Sequence, residues 1–172
     1  MNHHATTNDW LEKTLHNLSR DGFVISENVG HAGGTMRAVA RRTRLELTKF
    51  GFSETFFVFR EFESISTDSL RRFSSEAFKL ARQSKTIPLP RGLFESVWCF
   101  AVAVANRVED AVAVSVRNDA PTKHWAAAEI PVVFHQAERK LYYFEKTPLW
   151  GAAYYSGFRS LIRRNLAYAT MA

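Results

Sequence analysis

The sequence predicts an α+β fold: a single domain over residues 1–172, with a mostly antiparallel mixed sheet of about five or six strands and packed helices, including a C-terminal helix. Three observations carry that expectation. Segments 8–20 and 66–82 repeat apolar residues at helical spacing, with polar residues opposite. Runs 55–63 and 97–105 are rich in aromatic and β-branched residues, and the second has no polar face, so it needs cover on both sides and belongs in the middle of a sheet. No Gly/Ser linker, internal repeat or low-complexity tract divides the chain, and residues 1–7 read as a polar, flexible tail.

Each element has its own local reason. Asn8 or Asp9 caps a first helix to Arg20, with Glu12 three residues after Asp9 and Leu11, Leu15 and Leu18 on one face; Gly22 ends it. Phe23-Val24-Ile25 opens a strand that runs into a flexible loop, Val29–Thr35, where His31 faces solvent. Met36–Phe50 reads as a long strand, Gly51–Glu54 as a turn and Thr55–Glu63 as its antiparallel partner. Ser66 or Thr67 caps a second helix that buries Leu70, Phe73, Ala77, Leu80 and Ala81, and Arg72 and Glu76 form an i,i+4 pair on its outer side.

Ile87–Gly92, with two prolines, predicts an extended surface connection before the central strand at Val97–Ala105. Val108–Val116 fits both periods: Val112, Val114 and Val116 alternate like a strand, whereas Asn106 with Glu109 resembles a capping box. The reading taken is a helix that ends at Asn118–Pro121. A hairpin follows, Ala127–His135 with Lys140–Glu145, where Pro131 predicts an edge or a bulge. Thr147 as N-cap and Pro148 at the first helical position start the C-terminal helix, whose apolar side carries Trp150, Tyr154, Phe158, Leu161, Ile162 and Leu166.

Composition narrows the chemistry. Cys99 is the single cysteine, so an intramolecular disulfide and a cysteine-rich zinc site are excluded, and its place in a buried strand makes it inert. With no apolar run near ~18–20 residues and no leader-like start, the expectation is a cytoplasmic protein without a membrane partner. P-loop, Rossmann, zinc-finger, EF-hand, kinase and Gly-x-Ser-x-Gly patterns are absent, and neither a resident metal nor a cofactor is expected. Within the net charge of +6, basic residues cluster at Arg37, Arg41, Arg42 and Arg44, at Arg71 and Arg72, and at Arg159, Arg163 and Arg164; Arg41, Arg42, Arg44, Arg159, Arg163 and Arg164 are the candidate contacts for nucleic acid or another polyanion.

The expected role is that of a non-catalytic binding or interaction module. Its candidate ligand site joins Lys123, His124 and Trp125 to the start of the last helix: Thr147, Trp150, Gly151, Tyr154 and Tyr155. Small residues there, among them Gly151 and Gly157, allow close packing on the sheet, or a ligand or second copy of the chain, as in a homodimer, seated at the helix start. Glu129 and His135 share a strand face with Trp125 if that strand is regular.

An alternative rests on element order. A helix, three strands, a helix and a strand, with Glu46 on the second strand and Glu61 and Glu63 ending the third, resembles in outline the core of restriction-endonuclease-like nucleases over roughly the first 105 residues. That resemblance implies a metal-dependent nucleic-acid enzyme in which Glu46, Glu61 and Glu63 hold Mg²⁺. The lysine of the family's Glu-x-Lys motif is missing here.

Overall fold

Alternation along the third strand divides its aromatic residues between two faces, and that division organises the molecule. In a computed structural model, residues 3–31, 33–46, 51–86, 95–147 and 152–167 are described. They form α1 (His3–Arg20), β1 (Val24–His31), β2 (Gly34–Glu46), β3 (Gly51–Ile65), α2 (Thr67–Gln83), β4 (Glu95–Val108), α3 (Asp110–Asn118), β5 (Thr122–His124), β6 (Ala127–His135), β7 (Lys140–Tyr142) and α4 (Ala152–Ile162), the last continued by a π-helical turn over Arg163–Ala167.

The strands make one mixed sheet of the predicted α+β class, in the order β1-β2-β3-β4-β6-β5, with β7 also on β6. β1, β2 and β3 form an antiparallel meander. β4 lies parallel to both β3 and β6, because α2 and α3 carry the chain back across the sheet between them. β5 and β7 pair antiparallel with opposite ends of the outer edge of β6.

Phe57 and Phe59 face one apolar layer with Phe100, Val102, Ile130 and Phe134; this layer is covered by Trp10, Leu11 and Leu18 of α1 and by Tyr155, Phe158 and Ile162 of α4. Phe56 and Val58 face the other with Cys99 and Ala101, under Leu70, Phe73, Ala77 and Phe78 of α2 and Val112 and Val116 of α3. The apolar run of β4 is therefore covered on both sides, as expected of a central strand. Phe57 stacks on Phe100 with centroids 4.4 Å apart, and Trp10 on Phe134 at 3.9 Å. Phe158 meets Trp98 edge-on at 4.8 Å and Phe100 at 6.0 Å, so the C-terminal helix packs on the central strand.

Several local expectations are corrected. α1 begins at His3, and Asp9 lies inside it, paired with Lys13 one turn on. The loop expected at Val29–Thr35 is mostly ladder, with His31 opposite Gly34. Gly34 takes φ +116°, a conformation that suits glycine, and a side chain on Gly33 would run into the Glu76 carboxylate. Gly51–Glu54 is strand rather than turn, its register running from Gly51 opposite Glu46 to Glu54 opposite Thr43. Residues 47–50 and the connection expected at Ile87–Gly92 lie outside the described residues.

Ser66 caps α2 through a reciprocal box with Ser69, as a local signal should. Glu76, expected to pair with Arg72, binds Arg60 of β3 at 2.7 Å, a partner no helix period reveals. The ambiguous segment is a helix from Asp110: Val112 and Val116 are buried while Val114 is 59% exposed, the spacing of a helix face. Asn106 stays in β4 and donates to Glu63 instead of capping α3. Pro131 sits without a bulge where neither β5 nor β7 reaches the outer edge of β6. The second strand of that hairpin ends at Tyr142.

Candidate functional site

The two layers decide where each candidate side chain goes. β5 is extended, so consecutive residues point to opposite faces. Lys123 turns towards α4, its Nζ 4.9 Å from the centre of the Tyr155 ring. His124 turns towards α2, where its ring stacks on Phe78 at 4.3 Å and 11°. Trp125 stands in the following turn, 80% exposed. The single surface expected from Lys123, His124 and Trp125 is thus split by the sheet. Tyr155 is buried between Phe144 and Phe158, next to a void of only about 10 Å³. Trp150 and Gly151, and the side chain of Tyr154, lie outside what is described. Thr147, expected as a cap, accepts from the Arg159 guanidinium at 2.9 Å. A methyl group at Gly157 would sit in ordinary contact 3.9 Å from the Trp98 ring, so that glycine is not required by close packing.

On the α2 side the structure opens a cleft of about 420 Å³, within the range of ligand sites. Leu70, Arg71, Ser74 and Ser75 of α2 form one wall, and the end of α3 with the chain from Asp119 to Thr122 forms the other. Glu129, opposite Thr122 of β5, and Pro131, in the gap between β5 and β7, contribute from β6. The helix period puts Ser74 one turn beyond Leu70, both on the buried side of α2 at the foot of the α2 wall. The Ser74 Oγ is buried and has no hydrogen-bond partner among the described residues. Glu129, its side chain 14% exposed, lies 3.4 Å from Nε2 of His124. Ser115 donates to the Asp119 carboxylate at the end of α3.

Among the described residues, the Ser74 hydroxyl of the cleft lining is hydrogen-bonded to no base. Cys99, beneath β6, is fully buried; that burial, aided by the Glu129 charge, pushes its thiol far above the ordinary range, so it stays protonated at neutral pH. Glu129 and His135 do share a face of β6, but they stand six residues apart, about 20 Å along a strand. His135 instead meets the Asn106 carbonyl at 3.1 Å and the Glu138 carboxylate at 3.5 Å.

The three glutamates of the nuclease reading are not brought together. The register sets Glu46 opposite Gly51, whereas Glu61 and Glu63 lie at the far end of β3, about 33 and 40 Å along the strand. Glu61 approaches Arg37 at 3.9 Å, and Glu63 accepts from Asn106 at 2.7 Å and faces Arg107 at 3.7 Å. Among the described residues no three His, Cys, Asp or Glu side chains gather as a metal-holding group. No helix there is long and apolar enough to cross a membrane.

The arginines are largely engaged within the fold. Arg41 donates to the carbonyl of Ser84 at the end of α2. Arg159 donates to the carbonyls of Glu145 and Lys146 as well as to Thr147, pinning the segment that leads into α4. Arg163 donates to the Tyr143 hydroxyl. Arg42, Arg44 and Arg164, from the two sequence clusters, converge on Asp21 at 2.7, 3.8 and 3.4 Å. Burial opposes the Asp21 charge, but the Asn165 amide with Arg42 and Arg164 outweighs it and holds the carboxyl below its usual range. Arg42 is more deeply buried, and there burial outweighs Asp21, lowering the guanidinium pKa; a guanidinium starts so high that the pair remains fully ionised at pH 7.

Ser74 and Asp119 carried no site signal in the sequence because they read locally as helix surface and turn, whereas Arg71 stood out only as part of a basic pair with Arg72. Sequence reasoning also missed Glu54, fully buried in β3, which accepts from the backbone and hydroxyl of Thr86 and from Thr43. Comparison with known proteins finds no matching family model, no matching curated protein and no matching solved structure.

Proposed function

We propose that the protein is a non-catalytic binding module and that its recognition site is the cleft between α2, α3 and the outer edge of β6. The observation that carries this reading is the cleft itself, a concavity of ligand size lined by a mostly buried carboxylate, Glu129, and by the Ser75 and Thr122 side chains. Part of the constellation read from the sequence belongs here, since His124 abuts Glu129. The lone, buried Cys99 suits a reducing compartment, and the reading places the module in the cytosol.

A thermal-unfolding screen of small polar compounds tests it. A ligand at a hundred times its Kd stabilises the folded state by about 2.7 kcal/mol. The expected result is a rise in Tm that disappears in Ser75→Trp, a substitution that fills the cleft from a half-exposed position on α2. A rise that survives this substitution would remove the cleft as the site. Incubation with DNA and RNA, with and without Mg²⁺, tests the nuclease alternative, and no cleavage is the expected outcome.

A further inference from the structure

The chain as a whole carries +6, yet the charged residues lining the cleft are two carboxylates, Asp119 and Glu129, against one guanidinium, Arg71. Their surroundings differ. Arg71 is exposed on α2, where water solvates it, and Asp119 is exposed and held by Ser115. Glu129 is mostly withdrawn from water. Its ion-pair partner among the described residues is a histidine at 3.4 Å, well beyond the ~2.7–2.9 Å of a charge-assisted hydrogen bond. His124 is held in place by its stack on Phe78. A carboxylate so placed is stabilised by a cation that brings its own N–H donors. Beside it in the same lining, the Ser75 and Thr122 hydroxyls can accept from further N–H groups.

Building on the binding-module reading, on which it rests, we infer that the cleft takes a small organic cation. An ammonium or guanidinium group is seated on the Glu129 carboxylate, beside the Thr122 hydroxyl that the register sets opposite it, while the polar remainder of the molecule lies along the hydroxyl-lined walls. A volume of about 420 Å³ admits a molecule the size of arginine or a short diamine.

Two matched probe pairs separate charge from shape: putrescine against 1,4-butanediol, and arginine against citrulline. Each is titrated into the full chain labelled with ¹⁵N, and shifts are followed at Ser74, Ser75, Thr122 and Glu129. The cationic member of each pair should move these signals at millimolar concentration or below, with its neutral partner at least about tenfold weaker. Glu129→Gln should weaken the cations roughly ten- to hundredfold, the range for a hydrogen bond between charged groups. If that variant does not fold, the probe pairs decide the matter on the wild-type chain alone. Equal binding of charged and neutral members, or cation binding that Glu129→Gln leaves unchanged, overturns the cation assignment and leaves the binding-module reading in place. Cations that move only signals outside the cleft overturn the assignment, and with a negative compound screen the cleft is lost as well.

Discussion

Asp21→Asn removes one charge with almost no change in volume, at the point where three parts of the chain meet. Asp21 follows α1; Arg42 reaches it from β2 at 2.7 Å and Arg164 and Asn165 from the C-terminal π-helical turn at 3.4 and 3.2 Å. Arg42 also donates to the Asp21 backbone carbonyl and lies 4.2 Å over the Phe23 ring, contacts that the variant keeps. What it loses is the countercharge of a guanidinium only 7% exposed. Stranding one member of a buried pair costs about 3–5 kcal/mol, and because water still reaches Asp21 the lower end applies, about 3 kcal/mol. With unfolding entropy of about 2.1 cal/mol/K per residue, a chain of this length should lose about 8 °C in Tm.

The pH dependence carries a sign. The folded pKa of Asp21 lies below its unfolded value, so its contribution is complete above about pH 4 and is lost as the pH falls through the folded pKa. Thermal unfolding followed by circular dichroism from pH 2 to 8 should therefore show a full wild-type advantage at pH 7 that closes on the acid side. Adding Arg42→Met, which withdraws the stranded charge and keeps an apolar stem over Phe23, should recover part of the loss. A Tm drop under about 2 °C at pH 7, or a gap of constant size down to pH 2, would refute the account of Asp21 as the centre of a partly buried ion cluster.

Two further outcomes follow from the layers. Phe158→Ala empties the edge-on contacts with Trp98 and Phe100 and should cost about 3–5 kcal/mol in urea unfolding; a cost below ~1 kcal/mol would detach the C-terminal helix from the central strand. Cys99 should resist a thiol reagent at pH 8 in the folded protein and react at once in urea, and rapid labelling of the native state would contradict its burial between β3 and β6.

Part of this architecture was legible residue by residue. The cap of α2 at Ser66, the apolar face of that helix and the two-sided apolar run of β4 depend on neighbours a few positions away, and such signals survive in a linear reading. Gly51–Glu54 was misread because glycine and serine suggest a turn; one carboxylate oxygen of the fully buried Glu54 is held by Thr86, 32 residues on. The aromatic cluster at the C-terminal helix was legible as a packing surface. Its proposed recognition surface was not, because Lys123 and His124 are adjacent in sequence and lie on opposite sides of the sheet.

By itself the sequence determined the α+β class, the central strand, the inert cysteine and the missing parts of familiar catalytic motifs, since composition and short-range periodicity carry those. Tertiary structure alone decided that Glu46 stands far from Glu61 and Glu63, that Arg42 and Arg164 share Asp21, and that α2, α3 and β6 enclose a cleft. The physical reason is range: register and layer packing join residues tens of positions apart, and no local pattern encodes which of many chemically equivalent partners a side chain meets once the sheet has formed.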